Sequence, residues 1–143
     1  MIPIWIDFGT PEYDEMLALR YDILRKPLGL EYKIEDLKLE YKNQHLAIYA
    51  NDYRLLGVAM LSTADETTAE MRQVAVRADL QGRGVGRALV AAFEQRAKSL
   101  GFSRIFLAAR KEAVAFYEKL GYKIINAEYL RIGIPHFDME KLF

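Results

Sequence analysis

Three glycines in five residues, Gly82, Gly84 and Gly86, stand between an apolar strand-like run and an amphipathic helical run. This is the segment that most restricts the fold. Glycine removes the Cβ atom and admits backbone conformations closed to other residues, so the chain can turn sharply and approach a ligand closely. A helix opening directly after such a turn presents unpaired N–H groups and the positive end of its dipole, which together suit a phosphate. In Gln81-Gly82-Arg83-Gly84-Val85-Gly86-Arg87, two arginines add positive charge beside those amides. Two well-known phosphate motifs fail on spacing. A Walker loop needs Lys-Ser or Lys-Thr after its last glycine, but Arg87-Ala88 follows Gly86. A dinucleotide fingerprint counted from Gly82 finds Arg87 at its last glycine, and counted from Gly84 it finds Leu89.

The rest of the chain supplies alternating strands and helices around this turn. Ile2, Ile4 and Ile6 alternate as in a short strand, and Thr10-Pro11-Glu12 opens a helix with a cap, a first-turn proline and an acidic residue. Pro27 and Gly29 stop that helix, and Ile34 to Leu39 predicts a further short helical piece. Leu46–Tyr49, Leu55–Leu61 and Thr68–Val76 read as an antiparallel meander with turns at Asn51-Asp52 and Ala64-Asp65-Glu66. Val85, Leu89, Ala92, Phe93 and Ala97 recur at helical spacing up to Gly101. Ile105–Ala108 reads as a strand, Glu112–Leu120 as a helix, and strands follow around Tyr122–Ile125 and Phe137–Leu142. This order predicts one α/β domain over residues 1–143, with a sheet of mixed direction. The last strand is expected to offer an exposed pairing edge, a possible basis for a homodimer.

Composition removes several functions. With no cysteine, disulfides, thiolate metal sites and a cysteine nucleophile are excluded, and two distant histidines give no metal-ligand spacing. Lys plus Arg and Asp plus Glu balance at 20 each, without the basic excess of a general nucleic-acid binder. No signal peptide and no apolar stretch of membrane-spanning length is present, so a cytoplasmic location is expected with no membrane partner.

Gln81, Gly84 and Gly86 fit the acetyl-coenzyme A signature of Gln or Arg, two residues, Gly, one residue, then Gly or Ala. They follow Val74-Ala75-Val76 directly. Downstream, Ala113, Phe116, Tyr117, Glu118, Lys119, Leu120, Gly121 and Tyr122 fit A-x-x-F-Y-E-K-L-G-[FY]. On these two blocks the chain resembles the GNAT superfamily of N-acetyltransferases. Arg25-Lys26-Pro27-Leu28-Gly29, Met71-Arg72-Gln73-Val74-Ala75-Val76 and Gly133-Ile134-Pro135-His136 are similar to segments of one poorly defined subgroup of small members.

The resemblance implies a mostly antiparallel sheet with one parallel pair of strands splayed around the coenzyme. Pantetheine would bond to the backbone of Val74 and Val76, on either side of Ala75, and the pyrophosphate would sit on the amides from Arg83 to Arg87, which follow Gln81 and Gly82 of the cofactor-binding set. Ala113 and Phe116 belong to the same cofactor-binding set. Arg110 stands where relatives often carry an asparagine that helps hold the coenzyme. Tyr117 takes the position of a proton donor to the departing thiolate. Two residues compete for the general base. Glu70 matches by spacing a catalytic glutamate of the histone-acetylating branch, and His136 is an imidazole just before the last strand. Strict alternation would set Glu70 and Arg72 on one face with Val74 and Val76, whereas a bulge in that strand, common in the family, would change the facing. The implied reaction is direct attack of a small-molecule or peptide amine on acetyl-CoA, with no covalent enzyme intermediate. The alternative is a non-catalytic acyl-CoA sensor of the same fold.

Overall fold

A computed structural model describes residues 1–143. Its eight strands are β1 (Ile2–Ile6), β2 (Gln44–Tyr49), β3 (Leu55–Thr63), β4 (Thr68–Val76), β5 (Arg104–Arg110), β6 (Lys123–Ile124), β7 (Tyr129–Arg131) and β8 (Ile134–Leu142). The helices are α1 (Pro11–Arg20), α2 (Ile34–Leu37), α3 (Val85–Ser99) and α4 (Val114–Lys119). The strands form one sheet in the order β1-β2-β3-β4-β5-β8-β6, with β7 also on β8. Every pairing is antiparallel except β4 with β5. The expected sheet of mixed direction is therefore what the chain forms.

The two faces are covered by different helices. On one, Val85, Leu89, Phe93 and Ala97 of α3 pack with Leu46, Ile48, Met71, Ile105 and Leu107 in the main core, joined by Tyr117 of α4. On the other, Met16 of α1 packs on Ala47, Tyr49, Val58 and Ala75. Burying a large apolar side chain contributes about 1.5–3 kcal/mol, so the larger cluster on the α3 face dominates stability. Gly57 lets β3 and α3 meet closely, since a Cβ there would lie 2.7 Å from Cγ1 of Val85.

Three features differ from the sequence expectation. The last strand is not an edge: β8 lies between β5 and the short β6 and β7, and the sheet ends at β1 and β6. β7 forms a hairpin with β8 through Ile132-Gly133, both with positive φ (51° and 71°), a turn whose first residue gave no glycine or asparagine signal. Finally, α1 does not stop cleanly. It runs into a π-helical turn over Tyr21–Arg25 and a 3-10 turn over Lys26–Leu28, closed by left-handed Gly29.

One ion pair pins α1 to the segment before β2. Arg20 is buried and donates to both carboxylate oxygens of Glu40, at 2.7 and 2.8 Å. Tyr13 donates to Glu40 at 2.8 Å, and Arg20 also donates to the Tyr32 hydroxyl, which bonds Gln73 of β4. Burial by itself raises the Glu40 carboxyl, but its bonds and charge contact with Arg20 outweigh this and hold it below the usual range. Its stabilising contribution is therefore complete above about pH 4.5 and is lost as pH falls through the lower folded value. Glu40→Ala leaves an unpaired buried guanidinium and is expected to lower stability by about 3–5 kcal/mol in urea unfolding. Glu40→Gln should remove this part of the acid sensitivity.

Candidate functional site

The strands β4 and β5 pair over three residues only, Thr68–Glu70 with Arg104–Phe106, and then part. The physical cause is a bulge in β4. Val58 opposes Ala75 and Met60 opposes Arg72, so β4 carries one residue more than β3 across this stretch. Gln73 takes up the extra length with φ 53°, and Tyr32 donates a hydrogen bond to its side chain. A bulge bends its strand and increases the local twist, which turns the end of β4 away from β5. On the side facing β5, the backbone from Met71 to Val76 has no strand partner. In an ordinary sheet these groups would be paired.

The bulge also decides between the two facings that the sequence left open. Met71 belongs to the core on the α3 face, and Val74 and Val76 pack against that same core. Ala75 packs on the α1 face. Glu70 and Arg72, which approach each other at 3.8 Å, alternate with Met71 and so occupy the face opposite Val74 and Val76.

A cleft of about 850 Å³ runs through the split. At one end stands the glycine turn. Gly82 and Gly84 have φ of 80° and 87°, a region that side chains disfavour, and Gly84 begins α3 with no side-chain cap. The amides of Gly84, Val85, Gly86 and Arg87 donate to no backbone carbonyl. They are the orphan donors of a fifteen-residue helix, at the positive end of its dipole. Gly86 has a further role. A Cβ there would lie 3.1 Å from Cζ of Phe116, so the absent side chain is what lets α4 close against α3. Gln81, Gly82, Arg87, Ala113 and Phe116 line this end. Arg83 is exposed and outside the cleft lining, while the Val85 side chain is buried in the core.

Tyr117 lines the middle of the cleft. Its ring is held edge-on by Phe116 and Tyr122 at centroid distances of 5.0 and 5.7 Å. The Tyr122 hydroxyl is anchored on Glu94, whereas the Tyr117 hydroxyl feels burial alone, with no hydrogen bond from a neighbouring group. Burial pushes the Tyr117 phenol up to about 12, so it stays protonated across the neutral range and can act as a proton donor.

On the α1 face of the sheet, Glu70, Arg72, Arg110 and His136 line the same cleft. Arg110 and His136 are cross-strand partners on one face, opposite the core residue Ala109. The His136 ring is nearly buried, and its Nδ1 lies 2.8 Å from the Ile134 carbonyl. A carbonyl can only accept, so Nδ1 carries the proton and the neutral ring keeps its lone pair on Nε2. Arg25 and Leu28, from the irregular turns after α1, and Arg131 and Ile132, from the β7–β8 hairpin, complete this side. By resemblance, Arg25 and Leu28 fall in the Tyr21–Tyr41 region where family members build acceptor specificity, although its mixed charges name no substrate. Sequence reasoning gave Arg131 and Ile132 no role, and their only signal was the positional one that loops at the ends of parting strands face the gap.

Residues 11–122 match the acetyltransferase (GNAT) family. This chain belongs to that family. It is 28% identical over 124 residues to the Bacillus subtilis protein described as uncharacterized N-acetyltransferase YjcF, covering 86% of this chain and 87% of that one. A putative acetyltransferase of the same bacterium is 31% identical over 98 residues, covering 68% of this chain and 65% of that one. Among solved structures, a putative N-acetyltransferase from Lactobacillus plantarum superposes with a TM-score of 0.86 at 24% identity, covering 99% of this chain and 97% of that one. A Bacillus subtilis acetyltransferase solved in complex with CoA superposes at 0.74 with 21% identity, covering 99% and 97%. At such identities the structural likeness establishes the fold.

The contact between Gly86 and Phe116 gives a direct test. Gly86→Ala should cost roughly 1–3 kcal/mol by overpacking, read as a lower thermal midpoint. Gly86→Ala with Phe116→Leu should recover part of that loss, a coupling that two independent sites would not show.

Proposed function

We propose that this chain transfers an acetyl group from acetyl-CoA to the amine of a small-molecule or peptide acceptor, within a ternary complex. The observation that carries the proposal is the parting of β4 from β5, with orphan helix amides at the start of α3 and, lining the same cleft, a tyrosine hydroxyl free of hydrogen bonds. Acetyl-CoA, when bound, supplies its acetyl group as a thioester, so a C–N bond forms as the C–S bond breaks.

The residues present fit that group. The unpaired amides from Gly84 to Arg87 suit a pyrophosphate, with Gln81 and Arg87 beside them. The free edge of β4 from Val74 to Val76 suits the amides of pantetheine, in the manner of an added strand. Phe116 and Ala113 form the apolar wall opposite.

For the chemistry, Tyr117 gives its phenolic proton to the leaving sulfur. A free hydroxyl on a ring held between two aromatic neighbours is suited to that task, and its raised pKa keeps the proton in place until sulfur accumulates charge. His136 takes the proton released by the attacking amine on Nε2, the nitrogen left free by the bond from Nδ1 to Ile134. Glu70 lies on the same face and pairs with Arg72, which suits it to holding an ammonium group before proton loss.

Calorimetric titration with acetyl-CoA, against free CoA and NAD, tests the first step. Selective micromolar binding is expected, and folded protein that binds none of them would sink the proposal. Binding without thiol release on any amine would leave a sensor rather than an enzyme. Tyr117→Phe should lower kcat by about 10²-fold or more with acetyl-CoA affinity retained. Since burial pushes the Tyr117 phenol up to about 12, kcat should not fall between pH 8 and 10, where an ordinary tyrosine begins to ionise. His136→Gln should lower kcat, whereas Glu70→Gln should chiefly raise the acceptor KM.

A further inference from the structure

The side of the cleft on the α1 face is strongly cationic. Arg25, Arg72, Arg110 and Arg131 reach it from four elements, and Glu70 is the one carboxylate among them. The remaining carboxylate of the lining, Glu112, belongs to the turn between β5 and α4. Only Arg72 has an acidic partner, at 3.8 Å from Glu70; Arg25, Arg110 and Arg131 form no ion pair. Arg25 is instead fixed by stacking over the Tyr32 ring at 4.6 Å, the tyrosine that also bonds Arg20 and Gln73. This guanidinium is therefore held in place with its charge unneutralised, beside the bulge that opens the cleft. A whole-chain balance of zero makes the local excess a property of the site rather than of the protein.

A second observation comes from the hairpin between β7 and β8. Ile132 has φ 51° and is 62% exposed, yet a β-branched residue disfavours that conformation and an exposed position does not need an isoleucine. The turn would accept asparagine at lower cost. Strain of this kind persists where a side chain is required by function, and Ile132 lines the cleft beside Arg131.

On the acetyl-transfer reading above, we propose that the acceptor is a small amine carrying its own anionic group, a carboxylate or a phosphate. The anion lies among Arg25, Arg131 and their neighbours, the ammonium faces Glu70, and an apolar part of the molecule rests on Ile132. Guanidinium forks match both anions through paired hydrogen bonds. Polycationic acceptors such as polyamines and aminoglycosides meet four like charges on this side, which disfavours them.

The experiment compares matched amines. L-amino acids are set against their carboxamides, O-phosphoethanolamine against ethanolamine, and spermidine and kanamycin serve as polycations. Acetyl-CoA binding to the same protein is measured first by calorimetry, because its absence refutes the transfer reading and not the acceptor class. With acetyl-CoA bound, an anionic amine should exceed its neutral counterpart in kcat/KM by roughly tenfold or more. It should also raise the thermal midpoint of the CoA-saturated protein where the neutral one does not. The amino-acid and phosphoethanolamine arms decide which anion is preferred. Arg25→Gln with Arg131→Gln should erase the preference while acetyl-CoA affinity stays within about twofold. Ile132→Asn should raise the thermal midpoint and the acceptor KM together, a split that a purely structural residue would not give. Equal or better turnover of the carboxamides or polycations overturns the proposal. So does the lack of any response to every anionic amine in protein that binds acetyl-CoA.

Discussion

Three residue pairs, Thr68 with Arg104, Ala69 with Ile105 and Glu70 with Phe106, are the only parallel ladder in the molecule and the only strand pairing between its two halves. On one side lie β1 to β4, on the other β5 to β8. Such short pairing would not hold two half-sheets together alone, so the join depends on the apolar layer beneath it. Leu89, Phe93 and Tyr117 belong to the same core as Met71 of β4 and Leu107 of β5. The cleft therefore opens in a structure that stays closed on its α3 face. Exposed backbone at the parted edges is the cost of the arrangement, and it is also what makes the edges useful to a ligand with amides of its own.

The bulge at Gln73 links this opening to the other face. Its side chain bonds Tyr32, Tyr32 bonds Arg20, and Arg20 is locked to Glu40 in the buried pair beneath α1. A polar network of this sort adds little net stability, because desolvation offsets most of the attraction. Its physical value is geometric, since each member has few alternative arrangements once buried. The same tyrosine carries Arg25 on its ring. Thus the part of the protein that widens the sheet also sets a cation at the mouth of the gap.

Charge and conformational strain are distributed unevenly over the molecule. Most arginines outside the cleft are paired: Arg20 with Glu40, Arg54 with Asp52, Arg77 with Asp79, Arg104 with Glu140. Of the six without an acidic partner, Arg25, Arg87, Arg110 and Arg131 line the cleft, and so do Gln73 and Ile132, two of the three non-glycine residues with positive φ. Both patterns go against stability taken alone, which is why they point to the site.

Family, fold and the glycine turn at the start of α3 were legible in the sequence because they depend on local chemistry. Gly82 and Gly84 are needed for their backbone angles, and Gly86 for a contact with Phe116 thirty residues on, so glycine spacing and the downstream aromatic block report one piece of geometry. Helix and strand periods announced α3, β3, β4 and β5 for the same local reason. What only the tertiary structure decided lies on the α1 face. Alternation alone joins Glu70 to Val74, a bulge separates them, and only the folded strand shows that the bulge is present. The last strand looked like an edge until β6 and β7 folded onto it. Arg25, Arg72, Arg110 and Arg131 are spread over more than a hundred residues, and no local rule brings them together. Backbone conformation is set by near neighbours in the chain, whereas an acceptor site is set by where distant strands happen to part.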